Sequence, residues 1–273
     1  MHNIKLTLAY DGTDFHGWQT QAGKPTVQGA VTDVLRKITQ ENLAIHGAGR
    51  TDAGVHALGQ VAHFKTHSEL SPLEFQRALN ALLRPSIRVV RAEEVGPNFH
   101  ARWESRGKTY HYRIFRGRVV PPFEWRYVLH YPYPLNLDAM CQAAQLFVGE
   151  HDFSSFAAST GSDAADRERT MLRAIFESSM VADEKAETLT YAVHGRSFLR
   201  YMVRKMVGTL LDVGRGRLTP ADIPRLFEMR DRSKSGPTVP PQGLFLMAVD
   251  YPGPADSLAS GASERQFDGA KNL

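Results

Sequence analysis

The stretch at residues 47–64, GAGRTDAGVHALGQVAHF, sets Gly47, Gly49, Gly54 and Gly59 within thirteen residues and places Arg50, Thr51, Asp52 and His56 among them. Glycine loses more chain entropy on folding than any other residue. Such a cluster is costly unless the backbone bends sharply or something approaches it closely. An apolar run at 43–45 precedes it and another at 60–65 lies at its end, so the pattern predicts a strand, a tight loop and a second strand. Asp52 falls at the tip, two residues from Arg50. A loop held by a rigid scaffold is where chemistry tends to sit. On residue type alone the plainer reading is a structural turn, since an aspartate before Ala-Gly can accept local backbone hydrogen bonds. A dinucleotide loop is excluded, because the third glycine of that fingerprint would fall at Asp52.

Working outward, Ile4, Leu6, Leu8 and Tyr10 alternate and predict a strand ended by Asp11-Gly12. A polar-aromatic loop follows at 13–19, read as a surface turn with a packed tryptophan. Thr26 then stands as N-cap before Val27, Ala30, Val31, Val34, Leu35 and Ile38 at helical spacing. Beyond the glycine-rich stretch, Ser71-Pro72-Leu73-Glu74 is a capping box with proline at the first helical position. A strand is expected at 87–95. The order strand–helix–strand–strand–helix–strand suits a sheet covered on one face by two helices.

From residue 99 the character changes. FHARWESRGKTYHYRIFRGR interleaves Arg102, Arg106, Lys108, Arg113, Arg116 and Arg118 with Phe99, Trp103, Tyr110, Tyr112 and Phe115. A strand at 108–116 would put Tyr110, Tyr112 and Ile114 on one face. Aromatics stack on exposed bases while basic side chains hold phosphates; equally, a solvated basic edge strand would give this pattern. Asn136 caps a helix whose Leu137, Met140, Cys141, Ala144, Phe147 and Val148 form a core stripe, which predicts a buried Cys141. Residues 157–170 form a long polar loop whose Arg167 and Arg169, with Arg173, suit phosphates or a solvated face. Paired strands are expected at 171–180 and 188–194. In SFLRYMVRKMVGTLLDVG, apolar positions from Phe198 to Leu211 cover more than half of a helix, with Arg200 and Arg204 one turn apart outside that arc. An arginine partly buried on so apolar a helix needs an anionic partner. A helix from Thr219-Pro220 to about Met229 and a strand at 244–251 close the pattern, and the tail at 253–273 is expected to be disordered.

GRTDAGVHALGQVAHF resembles the active-site signature of the TruA family of tRNA pseudouridine synthases. So do YDGTDFHGWQTQ, FHAR followed by basic-x-Tyr-x-Tyr, FLxxMVRxxVG, and the closing strand. The resemblance implies an α/β (α+β) pseudouridine synthase fold of two ferredoxin-like or RRM-like halves, at 1–104 and 105–252, with antiparallel sheets and a central catalytic cleft. It implies Asp52 as catalytic nucleophile or base, Arg204 as its ion-pair partner and Tyr110 as the active-site tyrosine. Leu244 would line the uridine pocket, with Arg50, Arg102 and Arg200 as further substrate contacts; Arg200 stands where some relatives carry histidine. The implied reaction isomerises uridine to pseudouridine at positions 38, 39 or 40 of the tRNA anticodon stem-loop, by a homodimer, without cofactor or metal.

Composition sets the outer bounds. The chain has 273 residues, 42% hydrophobic and 23% charged, with net charge +4, pI about 9.2 and one cysteine. No run approaches the ~18 apolar residues of a membrane helix. One cysteine excludes an internal disulfide framework or a thiolate zinc site. With no leader expected before the first strand, a cytoplasmic setting follows. His56 and His63 lack any metal-motif spacing and are read as packing or loop residues. Two other classes stay open: a non-catalytic tRNA-binding or folding protein using the same basic-aromatic surface, and an aspartate-dependent hydrolase.

Overall fold

A computed structural model describes residues 1–158 and 170–253. Its first half follows the expected order: β1 (His2–Tyr10), α1 (Val27–Thr39), β2 (Ile45–Gly47), β3 (His56–Thr66), α2 (Pro72–Leu82) and β4 (Ile87–Val95). Local chemistry explains the boundaries. The Thr26 hydroxyl accepts from the Gly29 amide at the start of α1. Ser71 and Glu74 form the full reciprocal capping box of α2, with Pro72 in its first turn.

The second half runs β5 (Gly107–Phe115), β6 (Leu129–His130), α3 (Leu137–Gln145), β7 (Gly149–Asp152), β8 (Leu172–Asp183), β9 (Thr188–Gly195), α4 (Met202–Gly214), α5 (Asp222–Met229) and β10 (Leu244–Asp250). Among the described residues the strands form one sheet in the order β4-β1-β3-β10-β5-β9-β8-β7, with β2 beside β3 and β6 beside β5. Pairing is antiparallel except where β10 meets β3 and β6 meets β5. The last strand among the described residues is thus wedged between β3 and β5: Phe245 lies opposite both His56 of β3 and His111 of β5. One continuous core joins the helices to the sheet, through Leu6, Phe64, Phe75, Tyr112, Phe147, Met206 and their neighbours.

Four local expectations need correction. β5 lies inside the sheet, so the basic edge-strand reading of 108–116 fails; Tyr112 and Ile114 are fully buried. Cys141 is exposed, because the inward stripe of α3 is Met140, Ala143 and Ala144 and a residue one step past Met140 points about 100° away. Apolar periodicity carries on from 198, yet α4 begins only at Met202, since Tyr201 has φ 63° and breaks the helical path. Finally, α5 starts at Asp222 after a turn closed by the Asp222 carboxylate, which accepts from the Thr219 amide and hydroxyl. Arg167, Arg169 and the tail beyond 253 lie outside the described residues. Among those described, no helix is long and apolar enough to cross a membrane.

Candidate active site

The loop between β2 and β3 owes its shape to the N-terminal segment packed beneath it. A Cβ on Gly17 would lie 2.3 Å from the Thr51 carbonyl oxygen, and one on Gly12 2.0 Å from that of Val55. Gly17 also has φ +82°, so only glycine fits there without strain. The Trp18 amide donates to the Thr51 carbonyl at 3.1 Å, and the Gly54 amide to that of Phe15 at 3.2 Å. Trp18 itself is buried, with its indole where a Gly47 Cβ would be. The 13–19 loop is therefore the cradle of the Asp52 loop and not a free surface turn. Two polar side chains complete it. Tyr10 and Thr51 share a buried hydroxyl–hydroxyl bond of 2.8 Å, and Gln60, wholly buried, donates to the Gly49 carbonyl at 2.9 Å.

On this base Asp52 meets Arg204 of α4, 152 residues on, with Nη1 donating to Oδ2 at 3.4 Å. The contact is longer than the usual 2.7–2.9 Å of a charge-assisted bond. Arg204 is held independently: its Nε donates to the Val239 carbonyl at 2.7 Å. The segment carrying Val239 is clamped onto α4, because Lys205 Nζ donates to the Arg232 and Gly236 carbonyls and the Gly236 amide donates to the Thr209 hydroxyl. Burial is the largest influence on the Asp52 carboxyl and raises its pKa. The Arg204 charge and hydrogen bond, then Arg200, pull it back without cancelling the rise. The Arg204 guanidinium alone would hold this carboxyl low; desolvation outweighs it.

Tyr110 of β5 and Leu244 of β10 lie in the same cleft and are buried. The Tyr110 ring packs edge-on against Phe198 at 5.0 Å. Burial first, then Tyr10 and Asp52, push the Tyr110 hydroxyl well above its ordinary value, so it is a neutral phenol at physiological pH. Exposed Arg50 donates to Gln19 at 3.2 Å. Arg200 precedes α4, donates to the Tyr201 hydroxyl at 3.1 Å and, like Arg204, lies about 5 Å from the centre of the Tyr201 ring. Arg102 lines the cleft as well. Every site residue expected from the sequence thus faces one cleft.

That cleft has a volume of about 1450 Å³ and runs from α1 (Gln28, Thr32, Arg36) to the start of α4. It exceeds the ~300–1,000 Å³ of small-molecule pockets. Arg36, Arg173, Arg196 and Lys108 add to its basic lining, and Asp52 is its only carboxylate among the described residues. Lys108 was not singled out from the sequence; its amine donates to Ser105 at 3.1 Å, and burial, Arg102 and Arg196 bring its pKa down to about 8. Gln60 was not singled out either, although a lone amide heading an apolar run is a usable signal, whereas the Val239 carbonyl leaves no mark in sequence. His56 and His63 are buried packing residues. His56 accepts from the Gly12 amide at 3.1 Å and is neutral, its pKa lowered by burial. Among the described residues no cluster of histidine, cysteine or acidic side chains could hold a metal ion.

A family profile described as tRNA pseudouridine synthase matches residues 7–104 and 143–252. The chain belongs to this family. As a tRNA pseudouridine synthase it is an isomerase. A tRNA pseudouridine synthase A of Solibacter usitatus is 45% identical, the match covering 92% of this chain and all of the relative. That of Caldicellulosiruptor saccharolyticus is 44% identical over the same shares. That of Limosilactobacillus fermentum is 43% identical, covering 94% of this chain and 99% of the relative.

Proposed function

We propose that this synthase converts uridine to pseudouridine at positions 38, 39 or 40 of the tRNA anticodon stem-loop, with Asp52 as nucleophile or base. The supporting observation is the meeting of Asp52, Arg204 and Tyr110 in one basic cleft larger than a small-molecule pocket. The isomerisation breaks the bond from ribose C1′ to N1, turns the uracil, forms C1′–C5, and moves the C5 proton so that N1 gains one. Atoms and electrons balance without any co-reactant. Asp52 starts it as a carboxylate, by attack on the nucleotide or by removing the C2′ proton; both routes need the ionised form. Half-burial makes that carboxylate a stronger base, and Arg204, fixed by the Val239 carbonyl, keeps it oriented and ionisable.

Tyr110 stacks on the flipped uracil as a neutral phenol, with Leu244 closing the pocket. Extruding a base costs a few kcal/mol, and stacking with pocket contacts must offset it. Arg50, Arg102 and Arg200 hold flanking phosphates or the flipped nucleotide. Residues 1–104 and 105–252 act as two halves about the cleft. The working form is a cytoplasmic homodimer, one tRNA touching both subunits, and the reaction takes no cofactor.

The test is incubation with an unmodified tRNA transcript. Wild type forms pseudouridine in the anticodon stem-loop, and Asp52→Ala forms none while still binding the tRNA. Equal product from both would overturn the role of Asp52, and absence of product from the wild type would overturn the reading as a whole.

A further inference from the structure

Outside the catalytic constellation, one aromatic stack in the cleft has no task in the chemistry. The turn at 100–104 carries it. The Trp103 ring lies flat against His100, with centroids 3.7 Å apart and planes 14° apart, while 77% of Trp103 stays exposed. An exposed apolar side chain is ordinary. An indole already backed by another ring, held flat and facing a basic cleft, is not explained by packing.

The backing is fixed. His100 Nδ1 accepts from the Arg102 amide at 3.2 Å, and the His100 amide donates to Glu104 at 2.7 Å, so the turn closes on itself. Behind it the His63 ring stands edge-on to His100 at 4.7 Å, with His46 at 5.5 Å. His63 is buried and accepts from the Ala101 amide at 3.2 Å. Burial lowers the pKa of both His63 and His100, which disfavours a positive charge on the ring against the indole. His46, His100, Arg102 and Trp103 line the same cleft as Asp52.

We propose that Trp103, braced by His100, is a stacking platform for a second nucleobase of the tRNA, a neighbour of the uridine that enters the Asp52 pocket. This rests on the functional reading above. A flat π-face accepts any base, so the platform supplies affinity and register without sequence choice. Once a base leaves the helix, its neighbours lose a stacking partner. The indole replaces that partner, and Arg102 on the same turn lies within the electrostatic footprint of the adjoining phosphates.

Steady-state pseudouridine formation on an unmodified tRNA transcript tests this, with product absent from Asp52→Ala as the check on the functional reading. Trp103→Ala raises KM on the order of ten-fold, within the range that loss of one base stack gives, and the loss falls on KM more than on kcat. Trp103→Phe keeps KM within about three-fold, whereas Trp103→Leu, apolar but without a π-face, behaves like the alanine variant. Trp125→Ala, also exposed but outside the cleft lining, changes neither parameter. An active wild type with an unchanged KM in Trp103→Ala would sink the platform alone. So would equal KM for Leu and Phe, or a KM rise explained by altered oligomeric state in size-exclusion chromatography.

Discussion

Asp52 is pulled in two directions, and the balance is measurable. Burial favours the neutral acid and Arg204 favours the carboxylate, leaving the pKa above the ordinary 3.8. On the role proposed for Asp52 turnover needs the carboxylate, and kcat/KM should then rise with pH along an acid limb centred above that value. In Arg204→Gln the opposing charge is gone and the carboxyl climbs further. The limb then moves to higher pH, and kcat at pH 7 falls by roughly ten-fold or more. An acid limb that stays in place would show that the 3.4 Å pair has no electrostatic role. That Asp52, Tyr110 and Arg204 share one cleft agrees with what the family resemblance implied, whereas residue type alone favoured a plain turn at Asp52. The sign of the net shift on Asp52 was not legible, since burial depends on what packs around the loop and composition does not record it. Likewise the Tyr110 hydroxyl is pushed up by burial and stays a neutral phenol, which its place in the sequence does not record.

Between α4 and the segment that carries Val239 the fit is tight. A Cβ on Gly208 would sit 1.8 Å from the Pro237 carbonyl oxygen, with Pro237 backbone also at 2.9 Å. Gly208→Ala therefore pushes this segment off the helix and takes the Val239 carbonyl away from Arg204 Nε. Overpacking of this kind costs about 1–3 kcal/mol, so Tm should fall on the order of 5 °C, and kcat should fall with it. Calorimetry and initial rates on the same preparation check both; a variant with unchanged Tm and kcat would show the segment to be freely displaced. The capped helices α1 and α2 were predictable because caps are local. The start of α4 was not: hydrophobic spacing runs through residues 198–201 as though helical, and only the positive φ at Tyr201 reveals the break. That break matters, because it sets Arg200 ahead of the helix, with the Tyr201 ring close to both arginines.

For the whole molecule, buried neutral histidines govern behaviour in acid. His63 has its pKa lowered from 6.5 to about 4, chiefly by burial. Between those values the unfolded chain takes up a proton that the folded chain refuses, so stability is full above 6.5 and declines as pH falls toward 4. His56, His100 and His111 are lowered as well and act in the same direction. Tm should therefore drop between pH 7 and 5, and less steeply in His63→Asn, whose side-chain oxygen can replace Nδ1 as acceptor for the Ala101 amide. Equal slopes would show that His63 is not the group responsible. At this scale local reading yields to topology: the longer strands were recognisable and the short β6 and β7 were not, and nothing local in residues 244–250 says that β10 slots between β3 and β5. Phe245 stands beside His56, 189 positions earlier. A nascent chain emerging from the ribosome therefore cannot seal the seam between β3 and β5 until residue 250 has been made, however early the Asp52 loop appears. The cleft comes into being with that closing stitch, because Leu244, its first residue, lines the same hollow as Asp52.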